Sequence, residues 1–306
     1  MRQAPEQQLA VHRPAGPLAV VAPSMTGYLD RGLAPAVHRG LPSPWLTVII
    51  TVDSPCRVVA QPDPSQPAQE YPALIGGLHV SPALIAHDGE QSGVQVALDP
   101  LAARAVLGLP AGELVMTDLH LDQVLGPEAR RLHEQVGAAP DWPSRFALVE
   151  RFLTGRLADG ARAGLSADPG RQVRGAWEQL LSRAGRVRID DLARGCGWSG
   201  RHLGEVFRRE VGLSPKTAAR VARFDATRRR LPAALARGRV ADLASARGYA
   251  DQAHLNRDFR QFAGLAPRAW WSAEAAGGLR NVQATAGSVT GGSRTTNPTH
   301  HVHPRG

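Results

Sequence analysis

The residues in this chain best suited to chemistry are those that could read a base pair. Arg201, His202, Gly204, Glu205, Arg208 and Arg209 fall on the outer side of one helical period, and Gln252, Ala253, Asn256, Arg257 and Arg260 on the outer side of another. Arginine can fork onto guanine, Gln or Asn onto adenine, and Glu can accept from cytosine, while a residue as small as Gly204 permits close approach. Ser199, Lys216, Arg220 and Arg268 flank these faces and are candidate phosphate contacts. A single face of this kind is more often merely solvated. The argument for function is that it occurs twice.

The two faces belong to an internal repeat. Leu192, Ala193, Gly197 and Trp198 recur 51 residues later as Leu243, Ala244, Gly248 and Tyr249. Leu203, Phe207, Gly212, Leu213, Ser214 and Pro215 recur 52 residues later as Leu255, Phe259, Gly264, Leu265, Ala266 and Pro267. The one-residue insertion falls between Gly248 and Asp251, opposite Gly197 to Ser199, in a stretch that reads as a turn.

Each copy predicts helix, tight turn, helix. In the first, Ile189, Leu192 and Ala193 form an apolar face, Gly197 supplies a permissive backbone, and Ser199 caps a helix with Leu203, Val206 and Phe207 inward. In the second, Val240, Leu243 and Ala244 repeat the face, Asp251 is the cap, and Leu255 and Phe259 point inward. Between them Ser214 and Pro215 start a helix that runs until Pro232, about 25 Å for residues 215–231. A rigid spacer of that kind suits successive major grooves roughly 34 Å apart, and direct repeats with unlike outer residues imply an asymmetric site. A further helix at Val173–Leu181 packs on the first unit through Val173, Trp177, Leu180 and Leu181.

Charge follows the same division. Residues 1–170 hold 12 Arg against 17 Asp and Glu, whereas 171–273 hold 21 Lys and Arg against 9 acids. Basic charge concentrated in one segment is the footprint of a polyphosphate partner. Apolar residues make up 43% of the chain with no uninterrupted membrane-length run, and no export-type segment develops near Pro17 and Pro23, so a soluble, cytoplasmic protein without a membrane partner is expected. Cys56 and Cys196 are too few for a disulfide framework or a zinc cluster.

Along the chain, residues 1–40 read as an irregular arm. Residues 41–157 read as a β-rich sensor or regulatory domain ending in helices, with strand-like runs at Trp45–Val52, Cys56–Ala60, Tyr71–Val80, Ala83–His87 and Gly93–Leu98 and helical ones at 100–107, 127–136 and 142–157. A linker at 158–170 and a DNA-binding domain at 171–273 follow, then a disordered tail at 274–306. The expected fold class is α+β: a small barrel-like β-rich domain with helices, then an all-α domain of seven helices. His79, His87, His120 and His133 match no metal-ligand spacing, and His300, His301 and His303 lie in the tail, so no metal or cofactor is expected.

The segments I-D-D-L-A from Ile189, G-W-S from Gly197, G-L-S-P from Gly212, G-Y-A-D-Q from Gly248 and L-N-R-D-F-R-Q-F-A-G-L-A-P-R from Leu255 resemble the AraC/XylS family of bacterial regulators over residues 171–273. The resemblance implies two helix-turn-helix units around a linker helix, with Arg201, Gly204, Glu205, Gln252, Ala253, Asn256 and Arg257 facing bases. Tyr249 stands where Phe is common in the family, and Gly200 and Gly204 soften the first reader. Ile75–His79 and Gly93–Val96 resemble the β-rich sensor domains of some members. The partners implied are double-stranded DNA, a small-molecule effector and RNA polymerase, with monomer and homodimer both open. No P-loop, G-x-S-x-G, H-E-x-x-H or dinucleotide fingerprint supports an enzyme. A fused DNA-repair methyltransferase would need more cysteines, and a non-specific basic binder would leave the outer faces idle.

Overall fold

The β-branched runs of the first half become strands that pair across long stretches of sequence. In the computed structural model, which describes residues 5–165 and 170–276, the order is β1 (Glu6–His12), α1 (Leu18–Val21), β2 (Ser24–Arg31), β3 (Ala36–Gly40), β4 (Leu46–Thr51), β5 (Cys56–Ala60), β6 (Gln69–Tyr71), β7 (Ala73–Gly76), β8 (Ala83–His87), β9 (Gln91–Leu98), α2 (Ala103–Leu107), a 3-10 turn at Ala111–Leu114, β10 (Asp118–His120), α3 (Leu121–Leu125), α4 (Pro127–Ala138) and α5 (Trp142–Arg162). The strands form two antiparallel sheets, one ordered β1-β2-β9-β4-β7-β10 and the other β3-β8-β5-β6. Ile49, Val58, Tyr71, Leu74 and Ala83 form a buried cluster of their own. Strand β9 is buried along nearly its whole length, as a central strand covered on both faces must be.

Helix α5 closes the first sheet with Phe146, Val149 and Leu153 buried. Its approach depends on Gly27 in β2, where a Cβ would lie 2.4 Å from the Trp142 ring.

The irregular arm expected over residues 1–40 is corrected: it carries β1, β2 and β3. β1 pairs with β2, from Glu6 opposite Arg31 to His12 opposite Met25, and β3 pairs with β8. Non-local pairing decides these strands, and local periodicity does not register it. The start of the expected linker is likewise helical, since α5 runs to Arg162. Its small residues serve contact: a Cβ on Gly160 would meet the Ala105 carbonyl oxygen at 2.3 Å, so Gly160 lets α5 lie against α2. Residues 166–169 lie outside the described residues.

The second half is helical: α6 (Arg171–Ser182), α7 (Ile189–Gly195), α8 (Gly200–Glu210), α9 (Pro215–Arg228), α10 (Leu231–Ala236), α11 (Val240–Ala246), α12 (Gln252–Ala263) and α13 (Pro267–Ala276). Eight helices among the described residues replace the seven expected. The linker helix ends at Arg228, and Pro232 sits in the first turn of α10, where its missing N–H costs nothing, so it does not end α9. At 14 residues α9 is about 21 Å long. Helix α13 continues three residues past the expected domain end. Residues 277–306, with His300, His301 and His303, lie outside the described residues. One apolar core runs from the larger sheet and its helices into this half.

Candidate nucleic-acid interface

Each recognition helix is held by burial on its inner side. Leu203, Phe207, Leu255 and Phe259 are each 0% exposed. Trp177 of α6 sets its ring against Phe207 with centroids 6.4 Å apart, and Trp270 of α13 does the same for Phe259 at 5.9 Å. Phe224 of the linker helix adds a 4.9 Å contact to Phe259, and α8 and α12 both pack on α9.

The starts of the two helices are built alike. Ser199 Oγ accepts the His202 N–H at 3.2 Å, and Asp251 Oδ1 accepts the His254 N–H at 2.6 Å. Gly197 and Gly248 adopt left-handed backbone at φ 70° and 76°, which reverses the chain between the helices of each unit. Trp198 meets His202 edge to face at 4.7 Å, and Tyr249 meets His254 at 5.2 Å. His202, read from sequence as a base reader, therefore has a packing partner in the fold, and its repeat equivalent shares it.

The remaining reader candidates divide by exposure. Arg201, Glu205 and Arg208 on α8 and Gln252, Ala253, Arg257 and Arg260 on α12 are exposed. Arg201 and Glu205 pair with each other at 3.0 Å. Gly204 is buried and its repeat equivalent Asn256 half-buried, because this position lies on the flank of the helix; a Cβ on Gly204 would be 3.5 Å from the Arg208 guanidinium. Among the candidate phosphate contacts Ser199, Lys216 and Arg268 are exposed. Arg220 is different. Its guanidinium donates to Asp258 at 2.7 Å and to Gln261 at 2.6 Å and lies 5.0 Å from the Phe262 ring centre, so it joins α9 to α12.

Residues 192–272 match the family model described as "Helix-turn-helix domain". The C-terminal domain is an AraC-type helix-turn-helix domain. That part of the chain is accordingly a DNA-binding domain. No curated protein matches the sequence. Among solved structures, ToxT from Vibrio cholerae is similar at 9% identity over 89% of this chain and 99% of that chain, with a TM-score of 0.43. ToxT bound to an unsaturated fatty acid is similar at 9% identity over 80% and 93%, with a TM-score of 0.45. ToxT from Vibrio cholerae O395 is similar at 9% identity over 88% and 97%, again with a TM-score of 0.45.

Sequence reasoning missed how the AraC-type domain is fastened to the β-rich domain. Arg104 of α2 forks onto Glu210 at the end of α8, with N···O distances of 2.8 and 3.1 Å. Burial opposes ionisation of Glu210, but the hydrogen bonds from Arg104 and Arg209 outweigh it and hold the carboxyl below its usual range. The 3-10 turn fits against the same end of α8: a Cβ on Gly112 would lie 2.5 Å from the carbonyl oxygens of both Arg208 and Arg209. Asp99 pairs with Arg174 of α6 at 3.2 Å. There burial wins, and the Asp99 carboxyl is raised in spite of the Leu101 N–H and Arg174. The signal available in sequence was slight: an acid ending an otherwise basic helix, and a glycine after Pro110.

Among the described residues, no helix is long and apolar enough to cross a membrane, and no three His, Cys, Asp or Glu side chains gather as a metal site.

Proposed function

We propose that α8 and α12 enter successive major grooves of one duplex and read an asymmetric, bipartite site. The observation that carries this is the matched pair of capped helices, each with an apolar face fully buried and a polar face exposed, both packed on α9. On α12, Arg257 and Gln252 carry the strongest base chemistry, with Ala253, Asn256 and Arg260 beside them. On α8, Arg201 and Glu205 read only after their ion pair opens, with Arg208 beyond them and Gly204 allowing approach. Lys216, Ser199 and Arg268 contact phosphates. The β-rich domain senses a small-molecule effector and transmits its state through the contacts at α6 and α8.

Selection from random duplexes tests this. The expected result is two unlike half-sites about one helical turn apart, with Arg257→Ala relaxing one position at a cost of about 1–3 kcal/mol. Lys216→Ala should weaken binding evenly across sequences. Equal retention of all duplexes, falling only with salt, would overturn the reading in favour of phosphate contacts alone.

A further inference from the structure

Three arginines from separate segments meet at the joint between the two helix-turn-helix units. Arg186 stands in the loop between α6 and α7, ahead of the first unit, and its guanidinium donates to the Ala246 carbonyl oxygen at the end of α11 at 3.4 Å. Its stem lies over the turn of the second unit: a Cβ on Gly248 would meet Arg186 Cγ and Cδ at 3.2 Å. Arg247 follows α11 directly, and Arg230 precedes α10. Gly238 lies between α10 and α11 and the two helices pack on each other, which brings the start of α10 to the end of α11. Arg186 and Arg230 are exposed and Arg247 is half-buried.

Elsewhere in this domain the fold supplies acids to the arginines it gathers. Asp225 takes Arg228 and Arg229, and Asp258 takes Arg220 and Arg223. Arg186, Arg230 and Arg247 enter no ion pair among the described residues. Burial, then the charges of Arg230 and Arg186, disfavour the ionised form of Arg247. Like charges held together with no carboxylate opposing them are matched to an anion from outside the chain, and guanidinium forks suit phosphate oxygens.

The place of the cluster selects the phosphate. Arg247 stands just ahead of α12, which begins at Gln252. In a helix-turn-helix unit the first helix crosses the backbone and the second enters the groove by its N-terminal end, so backbone phosphates pass beside this turn. We propose that Arg186, Arg230 and Arg247 together bind one backbone phosphate of the duplex between the two half-sites. Resting on the reading of α8 and α12 as readers of one duplex, this contact adds the point at which the spacer is held, since Arg186 comes from the side of the first unit and Arg247 from the second.

The test uses the full chain and a selected duplex in which each spacer phosphate is replaced singly by a neutral methylphosphonate. Wild type should lose about tenfold in affinity at one linkage, and Arg247→Gln and Arg230→Gln should lose little more there. Both variants should flatten the dependence of log affinity on log salt by about 1, with the selected consensus unchanged, and Arg247→Lys should restore most of the slope. Arg230→Gln alters an exposed side chain, so the comparison survives a failure of Arg247→Gln to fold. The same linkage profile and the same slope in wild type and variants would overturn the proposal. Calorimetry with inorganic phosphate and pyrophosphate in the absence of DNA separates the other source: pyrophosphate bound by wild type and not by Arg247→Gln, with the linkage profile unaltered, would overturn the backbone contact in favour of a free phosphate ligand. Flattened slopes on mixed-sequence DNA without any selected consensus would leave the contact standing and refute the two-reader reading instead.

Discussion

The two helix-turn-helix units share one plan and differ in what holds them. In both, a capped helix buries a Leu and a Phe beneath a Trp from a neighbouring helix. The first is then fastened to the β-rich domain by Arg104–Glu210, by Asp99–Arg174 and by the fit of Gly112. The second is fastened within its own domain by the 2% exposed carboxylate of Asp258, which takes Arg220 at 2.7 Å and Arg223 at 3.6 Å. Duplication therefore preserved the core and not the tether. The β-rich domain therefore touches the first unit directly.

The largest expected effects test the shared core. Phe207→Ala and Phe259→Ala should each cost about 3–5 kcal/mol, read by denaturant unfolding. A much smaller loss for one would break the equivalence of the units. Asp258→Ala should cost less, about 1–3 kcal/mol, because it leaves two half-buried arginines without their carboxylate. Loss of unfolding free energy without change in domain docking is the expected signature.

Gly112→Ala should act on the first unit alone. Its methyl has to displace the backbone at the end of α8, an overpacking cost of about 1–3 kcal/mol. Amide exchange should rise in α8 and not in α12; equal protection in both would refute the asymmetry of tethering. Acid separates the two ion pairs of the same seam. Glu210 is held below the usual glutamate value of 4.5, so its contribution is present above about pH 4.5 and is lost as pH falls through the folded value. Asp99 is raised above 3.8, so its contribution is present below that value and lost as pH rises through the folded one. Exchange in α8 should increase on acidification below pH 4.5, and Glu210→Gln should remove that dependence. The smallest effects belong to the caps: Ser199→Ala and Asp251→Ala should each cost about 1 kcal/mol, measured by thermal unfolding.

Legibility in the sequence followed how local the cause was. The repeat, the caps at Ser199 and Asp251 and the inward set Leu203, Phe207, Leu255 and Phe259 are all written within single turns of helix, and the structure shows them as expected. Gly204 and His202 were harder, because whether a flanking residue is free or covered depends on neighbours such as Arg208 and Trp198. Arg220 shows the same dependence on neighbours. Its cationic head answers to Asp258, 38 residues on.

Sequence by itself determined that two like modules exist, where their helices begin, which faces are apolar and that the basic charge sits with them, since all of these depend on residues a few positions apart. Tertiary structure alone decided that residues 6–40 join the sheets and that the two halves meet at Glu210 and Gly112. Strand pairing and buried polar contacts join groups tens of residues apart. Their energy depends on proximity in space, which no local period encodes.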